Sequence, residues 1–142
     1  GVSPRLRLDL LINDFTYKAI TQGYVVVYES EVMRTFIHVH DIARSWLFAI
    51  DNLDPMRNKI FNVGSNSLNY SKRDICELIS DKTGAYFHYA DIGEDPDKRN
   101  YVVSYDKINN AGFETSITLE EGIDELVKAS SAAVFQTPFT NI

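Results

Sequence analysis

Twice in this sequence a helical run ends at a glycine and gives way at once to a β-rich segment. Between residues 7 and 22, Leu8, Leu11, Ile12, Phe15, Ala19 and Ile20 recur at helical spacing, and Gly23 stops the run. An unbroken Tyr-Val-Val-Val-Tyr segment then occupies 24–28. The second instance starts at the Ser71/Asp74 pair, which has capping-box spacing, and reaches about Lys82 before Gly84. A β-rich segment follows at 85–90. Continuous apolar strands set between helices read as buried, the condition of strands in layered α/β domains. The chain is therefore expected to be α/β, or α+β if its strands pair locally.

The remaining segments fit this alternation. Residues 34–39 read as a strand, with Phe36 opposite Ile37 across the pleat. Asp41 is placed to cap a helix over 42–52 whose inner stripe is Ala43, Trp46, Leu47 and Ile50. Pro55 favours an end there, because proline disfavours helical geometry in the residue before it. Residues 60–63 and 101–103 read as short strands, with the charged loop 91–100 between the second helix–strand unit and the latter. Ser104 caps a brief helix that ends before Gly112, and Thr118 with Glu121 opens a last helix through about Ala133. Residues 134–142 read as a loose tail. No linker composition interrupts the chain, so 1–142 is taken as one unit.

Composition excludes several classes. Fourteen Lys and Arg against 20 Asp and Glu leave a net charge of −6, the wrong sign for a surface that displaces counterions from nucleic acid. The longest apolar runs, such as Leu10-Leu11-Ile12, are too short to span a bilayer. A single cysteine, Cys76, permits no internal disulfide and fits a reducing, cytoplasmic setting. Equally informative are the missing motifs. None of the seven glycines forms a G-x-G-x-x-G turn, no tyrosine precedes a lysine by four residues, and no nucleophile elbow, P-loop or cysteine pair occurs. No catalytic residue is assigned within the chain.

Some side chains nevertheless have two readings. His38 and His40 flank one residue on an expected strand and so share a face. A metal could use that spacing, but His88 is remote, and packing or hydrogen bonding accounts for them better. Arg34 is either a solvated edge charge or a planar fork aimed at an anion. Arg99 belongs either to a local ion-pair cluster with Asp95 and Asp97 or to a loop that closes over a phosphate-bearing ligand. Asp41 is better explained as a helix cap than as an acid. Asn62, alternating out of an apolar segment, serves its neighbours' backbone or lines a pocket.

The segment Arg34-Thr35-Phe36-Ile37-His38-Val39-His40-Asp41-Ile42-Ala43-Arg44 resembles the extended short-chain dehydrogenase/reductase family of NAD-dependent nucleotide-sugar epimerases and dehydratases. Further segments resemble that family in the expected order: Gly1-Val2-Ser3-Pro4-Arg5, Phe61-Asn62-Val63-Gly64 and Asp95-Pro96-Asp97-Lys98-Arg99. The resemblance covers roughly residues 1–126. It implies the C-terminal, substrate-binding portion of a Rossmann enzyme, with the dinucleotide-binding half, its NAD or NADP and its catalytic tyrosine and lysine absent from this chain. It also implies that Arg34 and Arg99 clamp the diphosphate of a nucleotide sugar, with Asn13 on the first helix as a further contact. The complete enzyme is expected to be a homodimer and the chain alone inactive. The helix after Asp41 would pack on the absent half, so this chain is expected to expose apolar surface and self-associate. Two other readings remain: a non-catalytic relative that binds a nucleotide as a regulator, and a free-standing binding module.

Overall fold

A computed structural model describes residues 1–3, 6–95, 97 and 99–132. The expected tail lies outside the described residues. Helix α1 (Leu11–Gln22) ends at Gly23, which takes the left-handed conformation (φ 76°) and leads directly into β1 (Tyr24–Tyr28). Helix α4 (Lys72–Thr83) repeats the device at Gly84 (φ 71°) before β4 (Tyr86–Ala90). The two strands pair in parallel, Tyr24 opposite Tyr86 through Tyr28 opposite Ala90. A parallel pair needs a long crossover. Here it contains β2 (Met33–Thr35), α2 (Val39–Asp51), the single turn α3 (Leu53–Met56), β3 (Asn69–Ser71) and α4. After β4 come the short α5 (Asp106–Asn109) and the final α6 (Leu119–Ala132).

The core lies between the inner face of β1 and β4 and helices α1, α4 and α6. Val25, Val27 and Phe87 from the strands meet Ala19, Ile75, Cys76, Ile79, Leu119 and Ile123 from the helices, all buried. Both capping boxes form. Ser71 Oγ accepts the Asp74 N–H at 3.1 Å while Asp74 accepts the Ser71 N–H at 2.8 Å, and Thr118 and Glu121 make the same exchange. A smaller cluster of Tyr105, Ile108 and Phe113 gathers Phe48, Phe61 and Val63.

Several expectations are corrected. Burial alternates along β1, so only one face of this apolar strand is covered and Tyr24 and Val26 point outward. The strand expected over 34–39 stops at Thr35, because its antiparallel partner β3 is three residues long and turns at once into α4. Phe36 N–H to Leu68 O, 3.0 Å, is the last rung. The chain then bends at His38, which caps α2 through Nδ1 accepting the His40 N–H at 3.2 Å. Asp41 is thus inside the first turn rather than at the cap. Residues 60–63 and 101–103 form no strand. Around the second segment the Asn69 side chain stands in for a partner, accepting the Val103 N–H and donating to its carbonyl, both at 3.0 Å. The stripe of Trp46, Leu47 and Ile50 is 64–70% exposed. Helix α2 turns Ser45 and Phe48 toward the rest of the chain instead. None of the described helices is long and apolar enough to cross a membrane.

Candidate functional site

A cleft of about 750 Å³ opens where the start of α1, the residues around β2, the start of α6 and the charged loop converge. Arg34, Arg99 and Asn13, which lie on three separate segments of the sequence, all line it.

Arg34 is the middle residue of β2, opposite Tyr70, and is only 6% exposed. Its guanidinium donates to the Met33 carbonyl and to the Asp97 carbonyl, each at 2.9 Å, and its carbon lies 5.6 Å from the centre of the Tyr101 ring. An arginine so enclosed keeps its fork in one plane, which excludes the solvated-edge reading. Arg99 is largely exposed and grips Asp97 with two parallel bonds, Nε at 2.7 Å and Nη2 at 2.6 Å. The Asp97 carboxylate also lies 3.4 Å from Arg34 Nη2. Hydrogen bonds from Arg99, with the charge of Arg34 nearby, hold the Asp97 carboxyl far below the usual carboxylate range and raise Arg99 in return. Asp97 therefore joins two guanidinium groups at the cleft, the arrangement that a phosphate oxygen pair would also satisfy. Asn13 donates Nδ2 to the Arg7 carbonyl at 2.8 Å, which ties α1 to the segment before it.

No sequence-family profile matches the chain. Solved structures do match it. The NADPH complex of RMD from Pseudomonas aeruginosa superposes with a TM-score of 0.76 at 17% identity, covering 94% of this chain and 46% of that one. The NAD complex of UDP-glucose 4-epimerase from Thermus thermophilus gives 0.69 at 19%, covering 87% and 40%. UDP-glucose 4-epimerase from Thermotoga maritima with UDP-glucose gives 0.65 at 24%, covering 84% and 38%. The chain has the fold of the extended short-chain dehydrogenases/reductases over part of their length. It spans less than half of each of these three chains.

Within this fold, the motif residues acquire local reasons. Gly64 packs under Tyr105, where an added Cβ would come within 2.6 Å of the ring, and the Tyr105 hydroxyl meets Thr35 Oγ1 at 2.6 Å. Asp41 is fully buried and accepts four hydrogen bonds from Ser116 and Ile117 at 3.0–3.1 Å and a fifth from Arg44 at 2.6 Å. It fastens the entry to α6. Asn62 donates to the Ser104 carbonyl at 3.4 Å, a backbone role. His38 is buried, with Nε2 2.7 Å from a Glu125 oxygen, whereas His40 is exposed, so the two do not share a strand face. Among the described residues no group of three His, Cys, Asp or Glu is placed to hold a metal ion.

Among the described residues no glycine-rich turn leads from a strand into a helix. A dinucleotide pyrophosphate sits where a strand passes through a glycine-rich turn into a helix. Among the described residues β1 leads to β2, and α4 starts at a cap already filled by Ser71 and Asp74. Sequence reasoning also missed Lys72, which borders the cleft almost wholly buried. Its signal was present: a lysine on the first turn of a helix opposes the dipole and calls for a reason.

Proposed function

We propose that this chain is the substrate-gripping part of an NAD(P)-dependent nucleotide-sugar epimerase, dehydratase or reductase. Arg34 and Arg99 hold the diphosphate, Asn13 contributes at the wall, and the dinucleotide and the proton-transferring groups belong to residues outside it. The observation that carries this reading is the convergence of Arg34, Arg99 and Asn13 on one cleft. Two guanidinium forks, one rigid and one at the mouth, match the geminal oxygens of a diphosphate better than a lone carboxylate ligand would require. The role of these residues is to bind and orient. Holding a sugar by its diphosphate leaves the ring free to present one carbon to the reacting groups, which is how positioning lowers a barrier.

The test is a binding panel on the full-length protein with UDP-, GDP-, dTDP- and CDP-sugars, read by thermal shift and calorimetry. At least one should bind, and Arg34→Ala should abolish most of that affinity. Binding to none of the four would end the proposal.

A further inference from the structure

One buried ammonium ties the Arg99-bearing segment to the rest of the fold. Lys72 is the first residue of α4 and is 1% exposed. Burying an ammonium at a helix N-terminus forfeits hydration and opposes the helix dipole, so it needs strong acceptors. Lys72 has two: the Tyr28 carbonyl at the end of β1, at 3.1 Å, and the Asp95 carboxylate. The other oxygen of Asp95 accepts the Asp97 N–H at 2.8 Å. Asp97 in turn offers its carbonyl to Arg34 and its carboxylate to Arg99. A continuous line of hydrogen bonds thus leads from the core to both arginines. Burial pushes the Asp95 carboxyl up, but the bonds from Lys72 and from Asp97 N–H outweigh it and hold it below its ordinary value, so the link is ionic at neutral pH.

We infer that Lys72 is a positioning residue for ligand binding: through Asp95 it fastens the Asp97–Arg99 segment at the cleft and sets how the two arginines face each other. This rests on the diphosphate reading of the cleft. Lys72 acts without touching the ligand, since its ammonium is engaged by Tyr28 and Asp95. Among the described residues between β4 and α5 there is no helix or strand, so side-chain bonds, the buried Lys72–Asp95 pair among them, do what a ladder of backbone bonds does elsewhere. Fastening this segment beforehand removes part of the ordering cost from binding.

The experiment is a set of calorimetric titrations of the full-length protein with UDP, GDP, dTDP and CDP, the tightest then serving as probe. Lys72→Met and Asp95→Asn should each weaken it about tenfold, and the double variant no more than the worse single, because all three cut one link. In an Arg99→Ala background Lys72→Met should cost at least threefold less than it does in the parent. A general structural role would cost the same in both backgrounds, and that result overturns the inference. Wild-type affinity in Asp95→Asn, whose half-exposed position spares the core, overturns it as well, while loss in Arg34→Ala would leave the cleft reading standing. Unchanged affinity in Arg34→Ala, or no titration in the parent, sinks the cleft reading and this inference with it.

Discussion

Both carboxylate oxygens of Asp41 accept the backbone N–H of Ser116, at 3.1 Å each, across 75 residues of sequence. With Ile117 N–H, Ser116 Oγ and Arg44 completing the set, this one side chain joins the first turn of α2 to the approach to α6. Asp41→Asn keeps the size but turns one acceptor into a donor and removes the charge. The expected cost is about 2–4 kcal/mol, the scale of leaving buried donors unpaired, measured as a lower urea midpoint with unchanged slope.

The same carboxylate predicts an acid response. Burial raises its pKa, but the Ser116, Arg44 and Ile117 bonds together bring it below the ordinary value of 3.8. A folded-state pKa below the unfolded one means that the stabilisation is complete above the unfolded value and lost as pH falls through the folded value. Stability should thus decline below about pH 4 in the parent, and Asp41→Asn should flatten that limb. An identical decline in both would assign it to other carboxylates.

Arg34 and Arg99 differ in burial, so their substitutions should differ in kind. Alanine at either is expected to weaken nucleotide-sugar binding by roughly 1.5–3 kcal/mol, the scale of charge-assisted hydrogen bonds. Only Arg34→Ala should also lower the melting temperature, because it leaves the Met33 and Asp97 carbonyls without their partner. Arg34→Lys should recover little affinity, since an ammonium lacks two parallel donors. Calorimetry and thermal melts on the same samples separate the two effects.

Trp46, the one tryptophan, is 70% exposed beside Leu47 and Ile50 on the outer face of α2. A contiguous apolar face of this kind should bind a hydrophobic dye, and Trp46 emission should be readily quenched by iodide. Leu47→Glu is expected to reduce dye binding while changing stability by less than about 0.5 kcal/mol. A loss of stability well beyond that would mean that the face is packed.

Cys76 offers a clean probe of the core. It is wholly buried, and burial pushes its thiol up to about 12. At pH 8 a disulfide reagent should react only through opening of α4 and β4, so labelling should accelerate in step with added denaturant. Prompt labelling without denaturant would show that this helix opens independently.

Local signals in the sequence carried much of this fold. Gly23 and Gly84 close their helices as expected because a left-handed residue is a local requirement, and the Ser71/Asp74 and Thr118/Glu121 boxes form because their partners are three residues apart. Strand extent was not local. Residues 34–39, 60–63 and 101–103 have strand composition, yet pairing needs a partner of matching length, which only β3 supplies, and only to Arg34 and its neighbours. Helix α2 shows the same limit: its apolar stripe was legible, but periodicity says which residues share a face and not what lies against it.

For the cleft, the sequence by itself determined which residue types were present, and the motif segments around Arg34 and Arg99 were readable from it. That the two arginines share a cavity with Asn13, that Asp97 joins them, and that Lys72 anchors the segment were decided only by tertiary structure. The reason is physical: an ion pair between residues 72 and 95, or 34 and 97, depends on where the crossover between β1 and β4 brings the chain back, and no local rule of spacing contains that distance.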